Sequence, residues 1–510
     1  MKTKGTETRV VDLGGRTLTP GFIDGHAHVA QFGVQAVGGN LLAAPDGNVA
    51  TIAQLVTEMK RAAATMDTSY TGWIFGSGYD DAILGRHPTA ADLDKVSTTI
   101  PVAVIHISGH FSAVNSAGLK RIGYTAATAD PAGGIIRRKP GSREPNGVLE
   151  ETAHFAYLFG AVGPRNQAVA DTFLLKGLEL AKSHGHTTAN EGRAVAAQHN
   201  MFLSAAKRGL LDIDVVSYID YTERKLIDSV GLDARKPATY SGRYRVAGMK
   251  ITVDGSPQGR TAWRTVPYLL PPDGQKAGYM GYAAIPDEKL LTSLFDSAYA
   301  KHWPVKVHAN GDAAVDQFIR VASPAARRHP EADLRHVLIH GQFVRDDQLD
   351  SLRKYKLFPS LFPMHTFYWG DWYGKIVGDS QAQRISPMRN VLDRGMMTTS
   401  HTDAPVALPN LLQVMWATVN RVTRSGKVLG PDQRVTPLEA FKMFTIWGAY
   451  QHHEEKTKGS IEVGKLADFV ILSDNPLTIE PMKINTIVVQ ETIKDGRTVW
   501  TRKAPAVAAR

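Results

Sequence analysis

Between about residue 20 and residue 440, short apolar runs alternate with longer stretches whose apolar positions recur every three to four residues. The short runs are "PVAVIHIS" (101–108), "HTTANEG" (186–192), "DIDVVSYI" (212–219), "GMKITVDG" (248–255), "PVKVHANG" (304–311), "HVLIHGQ" (336–342), "LFPSLFP" (357–363) and "GMMTTSHTD" (395–403). With "FIDGHAHV" near the start they make about nine candidate strands. Between them lie amphipathic patterns such as "NQAVADTFLLKGLELAKSHG" (166–185) and "DEKLLTSLFDSAYAKH" (287–302), which predict helices. Apolar strands alternating with helices predict an α/β fold on a parallel sheet. The count favours a (β/α)8 TIM-type barrel, and no G-x-G-x-x-G opens a helix to suggest a dinucleotide-binding sheet.

The barrel is expected over residues 21–439. Within it, residues 60–150 contain "GWIFGSGYDDAILGRHPTAADLD" and "DPAGGIIRRKPGSREPNG" and read as a loop-rich insertion over one barrel end. The tail, "KGSIEVGKLADFVILSDNP" followed by "INTIVVQETIKDGRTVW", is strand-and-turn material. Residues 1–20 and 440–500 are therefore expected to form a small β-sandwich-like domain from the two chain termini.

Composition sets limits. The 510 residues carry 59 Lys and Arg against 49 Asp and Glu, a formal charge of +10. The basic residues are scattered, the nearest thing to a run being Arg137 to Lys139. Nucleic-acid binding needs a basic stripe with stacking aromatics, so no nucleic-acid partner is expected. No apolar run reaches the roughly 18 residues of a bilayer span, so no membrane partner is expected either. The start, "MKTKGTETRVVDLGG", lacks the apolar core of an export signal. A cytoplasmic protein is expected, with an upstream export segment left open. Cysteine is absent, so any transition-metal site must draw on His, Asp, Glu and modified Lys.

Polar residues gather at the ends of the proposed strands, where barrels carry their chemistry. In "GFIDGHAHV", His26 and His28 stand two apart and share one face of an extended chain. His308 follows "VKV", His340 follows "VLI", and Asp403 follows "TTSHT". Singly each has a plain structural explanation; an Asp before Ala-Pro can open a turn. Together, four imidazoles and a carboxylate suit a divalent metal such as Zn2+, Mn2+, Fe2+ or Co2+. Lys250 sits inside the apolar "GMKITVDG", where a bare ammonium is costly. Either it snorkels or pairs with Asp254, or it carries a CO2-derived carbamate that bridges metals. Lys306 in "VKVH" is its rival, one strand repeat deeper.

His110 in "SGHFSAVN" lies on the insertion side and is a candidate donor to a substrate carbonyl, with a loop histidine as the alternative. The segment after the seventh strand, "MHTFYWGDWYG", is read as a loop holding His365, Phe367, Tyr368, Trp369, Trp372 and Tyr373. Such an aromatic run favours an aryl or apolar substrate group, or else a lid packing on itself. Arg260 in "SPQGRTA" is a candidate for a substrate carboxylate or for pairing within the fold.

"PGFIDGHAHV" resembles the first-strand signature of the amidohydrolase superfamily of metal-dependent barrel hydrolases. "GWIFGSGYDD", "RHPTAADLD", "SGHFSAVNS", "GMKITVDGSPQGRTA", "VHANGDAAVD", "IHGQFVRDDQL", "SHTDAPV", "VTPLEAFKMFT" and "GSIEVGKLADFVIL" are similar to its amidohydrolase family 3 branch, which includes N-substituted formamide deformylases. These pieces cover most of residues 10 to 500 in family order. The resemblance implies His26 and His28 as first-strand ligands, Lys250 as the carbamate, and His308 and His340 as fifth- and sixth-strand ligands. It implies Asp403 as eighth-strand ligand and base. With two ions, zinc being the first expectation, Lys250 would bridge a metal on His26, His28 and Asp403 to one on His308 and His340; with one ion, a subset binds. In one respect the chain departs from the family, whose members usually place several β-domain strands before this signature. Here about 20 residues precede it, leaving the tail strands short of partners unless the start lies upstream or a homo-oligomer covers the edge.

The resemblance thus implies a metal-dependent hydrolase of a linear C–N bond in a small-molecule amide, N-formyl or N-acyl amine, or carbamate. The alternatives are a deaminase of a cyclic amidine, which would be mononuclear and lack the carbamate, and a catalytically inactive metal-binding scaffold.

Overall fold

Eight parallel strands hydrogen-bond side by side in chain order. They are β1 (Phe22–Ile23), β2 (His186–Ala194), β3 (Asp214–Asp220), β4 (Tyr244–Thr252), β5 (Val305–Ala309), β6 (Val337–His340), β7 (Phe358–Leu361) and β8 (Thr399–Ser400). The computed structural model describes residues 5–8, 10–131, 134–163, 165–236, 238–272 and 275–503; Met1 to Lys4 and Arg9 of the expected terminal segment lie outside them. The two ends of the sheet meet just beyond β1 and β8. Asp403 N donates to His26 O at 3.0 Å, His28 N donates to Ala404 O at 2.8 Å, and the Thr402 hydroxyl donates to Asp24 at 2.5 Å. This is the TIM-type barrel the strand pattern predicts.

β3 is buried at every residue and β4 at all but its last, as strands covered on both faces should be. The helices carry the expected amphipathic stripe and have capped starts. Gln167–Ser183 follows Asn166, whose side chain accepts from Val169 N, and it buries Phe173, Leu174 and Leu178. Glu288–Lys301 follows Asp287, which accepts from Lys289 N and Leu290 N. Each such cap contributes about 1 kcal/mol.

Between β1 and β2 the chain builds a six-stranded sheet, where the sequence pattern predicts a loop-rich insertion. Its strands, in spatial order, are Gly39–Asn40, Ile74–Tyr79, Val102–His106, Phe111–Val114, Pro145–Glu151 and Gly134–Arg138. The run "PVAVIHIS", counted above with the barrel strands, belongs to this sheet instead. It is buried throughout, and a fully apolar run does not say which sheet buries it. The Tyr368 hydroxyl donates to Asp46 Oδ2 at 2.5 Å and ties this part of the chain to the helix after β7.

The terminal segments form one four-stranded antiparallel sheet among the described residues. Thr17–Pro20 pairs with Phe469–Leu472, followed by Val489–Lys494 and Arg497–Thr501. The tail therefore has a partner strand within the chain. Buried Lys494 donates from Nζ to Asp468 at 2.7 Å and to Asp214, the first residue of β3, at 2.6 Å. Lys458 Nζ lies 2.6 Å from the same Asp214 carboxylate. This ion cluster fastens the terminal sheet to the start of a barrel strand. No helix among the described residues is long and apolar enough to cross a membrane.

Candidate metal centre

β1 stops at Ile23, so His26 and His28 lie in the turn beyond it rather than within a strand. Their rings are still 5.0 Å apart, and each places Nε2 3.6 Å from Asp403 Oδ1. The other oxygen of Asp403 faces His340 Nδ1 at 3.9 Å, and the rings of His340 and His308 lie 4.6 Å apart. Lys250 Nζ reaches His26 Nε2 at 3.1 Å. The six expected ligand side chains, Asp403 among them, thus form one cluster. Two of them sit on left-handed backbone, His340 at φ 77° and Asp403 at φ 50°. Such conformations cost on the order of 1–3 kcal/mol each and persist where the surroundings enforce them.

Lys250 does not pair with Asp254. That carboxylate accepts from Asn310 N at 2.9 Å, Gly311 N at 2.8 Å and Trp263 N at 3.0 Å, and lies 3.2 Å from His308 Nδ1. Burial pulls the Lys250 amine down to about 7. Lys306 is engaged one layer below: Nζ donates to Gly25 O at 2.7 Å and to Asn190 Oδ1 at 3.2 Å, over the Tyr218 ring at 4.0 Å.

Burial also holds His26 and His340 well below the usual histidine range and lowers His308 against the pull of Asp254. Neutral imidazoles keep the lone pair a metal needs. His308 Nδ1 is buried and faces the Asp254 carboxylate. Burial raises the Asp403 carboxyl, opposed first by His28. Neutral imidazoles, a carboxylate and an amine near neutrality together fit a divalent cation.

Two residues absent from the sequence reading stand directly behind this cluster. Glu191, buried in β2, lies 3.4 Å from His28 Nδ1 and accepts from Ala30 N at 2.9 Å. His401 places Nε2 3.2 Å from His340 Nδ1 and Nδ1 3.0 Å from Ser360 Oγ. A charge inside a buried strand and the histidine of "SHTD" were the available signals. Gly192 has a steric reason: a Cβ there would lie 2.0 Å from His26 Cε1.

The outer residues divide. His110 sits in the turn between Val102–His106 and Phe111–Val114, with Nδ1 2.9 Å from Glu151 Oε2. Burial would lower this imidazole, but the Glu151 carboxylate outweighs it and raises it. Arg260 spends Nη1 on the carbonyl oxygens of Leu270 (3.3 Å) and Pro271 (2.9 Å), and its guanidinium lies 5.7 Å from the Trp372 ring. The segment after β7 is not a loop but the helix Met364–Val377. Its aromatic run is largely inward packing, with Phe367, Tyr368, Trp369 and Tyr373 buried. His365 is held by the Tyr373 hydroxyl at 2.5 Å from Nδ1, stacks near Trp369 at 4.6 Å, and is pulled by burial to about 3.

Residues 9–500 match the amidohydrolase family profile. N-substituted formamide deformylase of Arthrobacter pascens is 26% identical over 521 residues, covering 96% of this chain and 89% of that protein. Protein LONG AFTER FAR-RED 3 of Arabidopsis thaliana is 26% identical over 489 residues, covering 92% and 80%. The crystal structure of an uncharacterized metal-dependent hydrolase from Pyrococcus horikoshii OT3 superposes with a TM-score of 0.71 at 22% identity, over 93% of this chain and 90% of that one. The barrel and the whole-length match agree: the chain belongs to the amidohydrolase family.

Proposed function

We propose that the protein is a metal-dependent hydrolase of a linear C–N bond, in an amide, an N-formyl or N-acyl amine, or a carbamate. The observation that carries this is the single carboxylate, Asp403, shared by His26 and His28 on one oxygen and facing His340 on the other. Its 26% identity to a formamide deformylase over nearly the whole chain supports the same bond class.

His26, His28, His308, His340 and Asp403 would hold one or two divalent ions, zinc first among the candidates, with Lys250 as a carbamate between them. The amine of Lys250, near neutrality, is nucleophilic enough to add to CO2, forming an N–C bond and releasing a proton. A bound divalent ion supplies Lewis acidity, lowering the pKa of a water from 15.7 to about 7 and polarising a carbonyl.

The chain's own groups do the proton work. Asp403 accepts the proton of the attacking water as the new C–O bond forms, then delivers it to nitrogen as the C–N bond breaks. His110, its Nδ1 held by Glu151, offers Nε2–H to the carbonyl oxygen. The products are a carboxylic acid, or a carbonic acid monoester from a carbamate, and an amine.

The test is a panel of formamides, anilides, carbamates and cyclic amidines offered to metal-loaded protein, with amine and ammonia release measured. Amine release from a linear substrate, lost together with bound metal in His308→Ala, supports the proposal. Ammonia release from amidines alone favours a deaminase, and metal binding without any turnover favours a scaffold.

A further inference from the structure

β2 ends Glu191–Gly192–Arg193–Ala194. The ladder to the next strand slips between Glu191 and Ala194, Glu191 pairing with Ser217 and Ala194 with Ile219, so the place of Arg193 is set by its contacts rather than by strand alternation. Its backbone N–H donates to Glu191 Oε1, the carboxylate beside His28, at 3.1 Å. Glu191 is fully buried, whereas the Arg193 side chain is 51% exposed. Arg193 is held firmly at one edge. Its Nε donates to Asp220 Oδ2 at 2.6 Å, and Asp220 is the register partner of Lys250 on the adjoining strand. The other oxygen of Asp220 is taken by Thr222, from its N–H at 3.0 Å and its hydroxyl at 2.6 Å. Among the described residues, no hydrogen bond is made by either terminal nitrogen of the Arg193 guanidinium. The Arg193 charge opposes protonation of both His110 and Lys250, so it stands near both the insertion's imidazole and the ligand cluster.

We infer that Arg193 anchors a carboxylate on the substrate, so that the enzyme acts on N-formyl or N-acyl amines bearing an acidic group close to the scissile bond, as in N-acyl amino acids. The inference rests on the C–N hydrolase proposal. A guanidinium with one edge pinned presents its remaining N–H groups in a fixed fork, the geometry that matches a carboxylate. Arg260, the sequence-derived candidate for this role, has already spent Nη1 on backbone carbonyls.

The test compares N-formylphenylalanine with N-formyl-2-phenylethylamine, which differ only in the carboxylate. The intact enzyme is expected to favour the acid in kcat/KM by about 10- to 100-fold, the worth of a charge-assisted pair. Arg193→Gln should bring that ratio near one, chiefly through KM, and Arg193→Lys should restore part of it. A second readout needs no turnover: metal-free protein is titrated calorimetrically with 3-phenylpropanoate, and Arg193→Gln should weaken binding at least about tenfold. A ratio unchanged in Arg193→Gln, no preference in the intact enzyme, or equal 3-phenylpropanoate binding by both proteins overturns the inference. Should neither formyl compound be cleaved while the Arg193-dependent titration persists, the hydrolase proposal fails and the anchor stands.

Discussion

Lys250 Nζ lies 3.1 Å from His26 Nε2, a buried amine against a buried imidazole. No carboxylate within hydrogen-bonding reach compensates the lysine among the described residues, which argues for a modified side chain. Lys250→Ala is expected to lose most bound metal, and added formate or propionate should restore part of it by standing in for the carbamate. Metal content by mass spectrometry decides: undiminished metal in Lys250→Ala removes the residue from the ligand set.

Asp403→Asn keeps an oxygen for the metal but cannot carry a proton. Its kcat is expected to fall by about 10²- to 10⁴-fold with much of the metal retained. An unchanged kcat would exclude Asp403 as the base.

Glu191 lies against His28 and Asp254 against His308, two of the proposed ligands. Removing their charge in Glu191→Gln and Asp254→Asn should weaken metal affinity by about 10- to 100-fold, since such partners orient ligating imidazoles. Competition with a chromophoric chelator measures this. Intact-enzyme affinity in both variants would leave the two carboxylates a purely structural role.

Gly192→Ala places a methyl 2.0 Å from His26 Cε1 and must displace the ring or β2. Metal affinity and turnover should fall together, whereas a variant with normal metal content would show that the barrel mouth yields easily.

Asp214 is held below its ordinary 3.8: burial would raise it, and the Lys458 and Lys494 ammonium groups outweigh that. Its contribution to stability is therefore present above about pH 4 and lost as pH falls through the lower folded value. Asp214→Asn should cost about 3 kcal/mol at neutral pH, because it strips two buried ammonium groups of a partner. The difference from the unmodified protein should shrink below about pH 4 in denaturant titrations. A constant difference down to pH 2 would locate the stability elsewhere.

The barrel was legible because its strands are short apolar runs separated by capped amphipathic helices, and the clustering of His308, His340 and Asp403 because each stands at the end of such a run. The insertion sheet was not legible. A strand such as "IFGSGY" is broken by glycines and shows neither clean alternation nor an unbroken apolar run. Aromatic residues and glycines hid the helix Met364–Val377, which packing of its rings enforces against weak intrinsic propensity. Glu191 and Arg193 carry no motif, and His401 lies inside "SHTDAPV" with nothing to single it out beside Asp403. Their relation to the centre arises only when neighbouring strands bring them beside His28, Asp220 and His340.

The bonds that join the turn after β1 to the turn after β8, among them Asp24 to Thr402 across 378 residues, also mean that the centre straddles the barrel's seam. Its halves come from the opening and the closing of the chain. A nascent polypeptide can complete the first seven barrel strands while Asp403 is still to be made. Assembly of the centre thus waits on contacts between residues far apart in the chain, the slow kind to form. Metal uptake during refolding should follow the last phase of barrel closure, and a fragment lacking either end should hold no tightly bound ion.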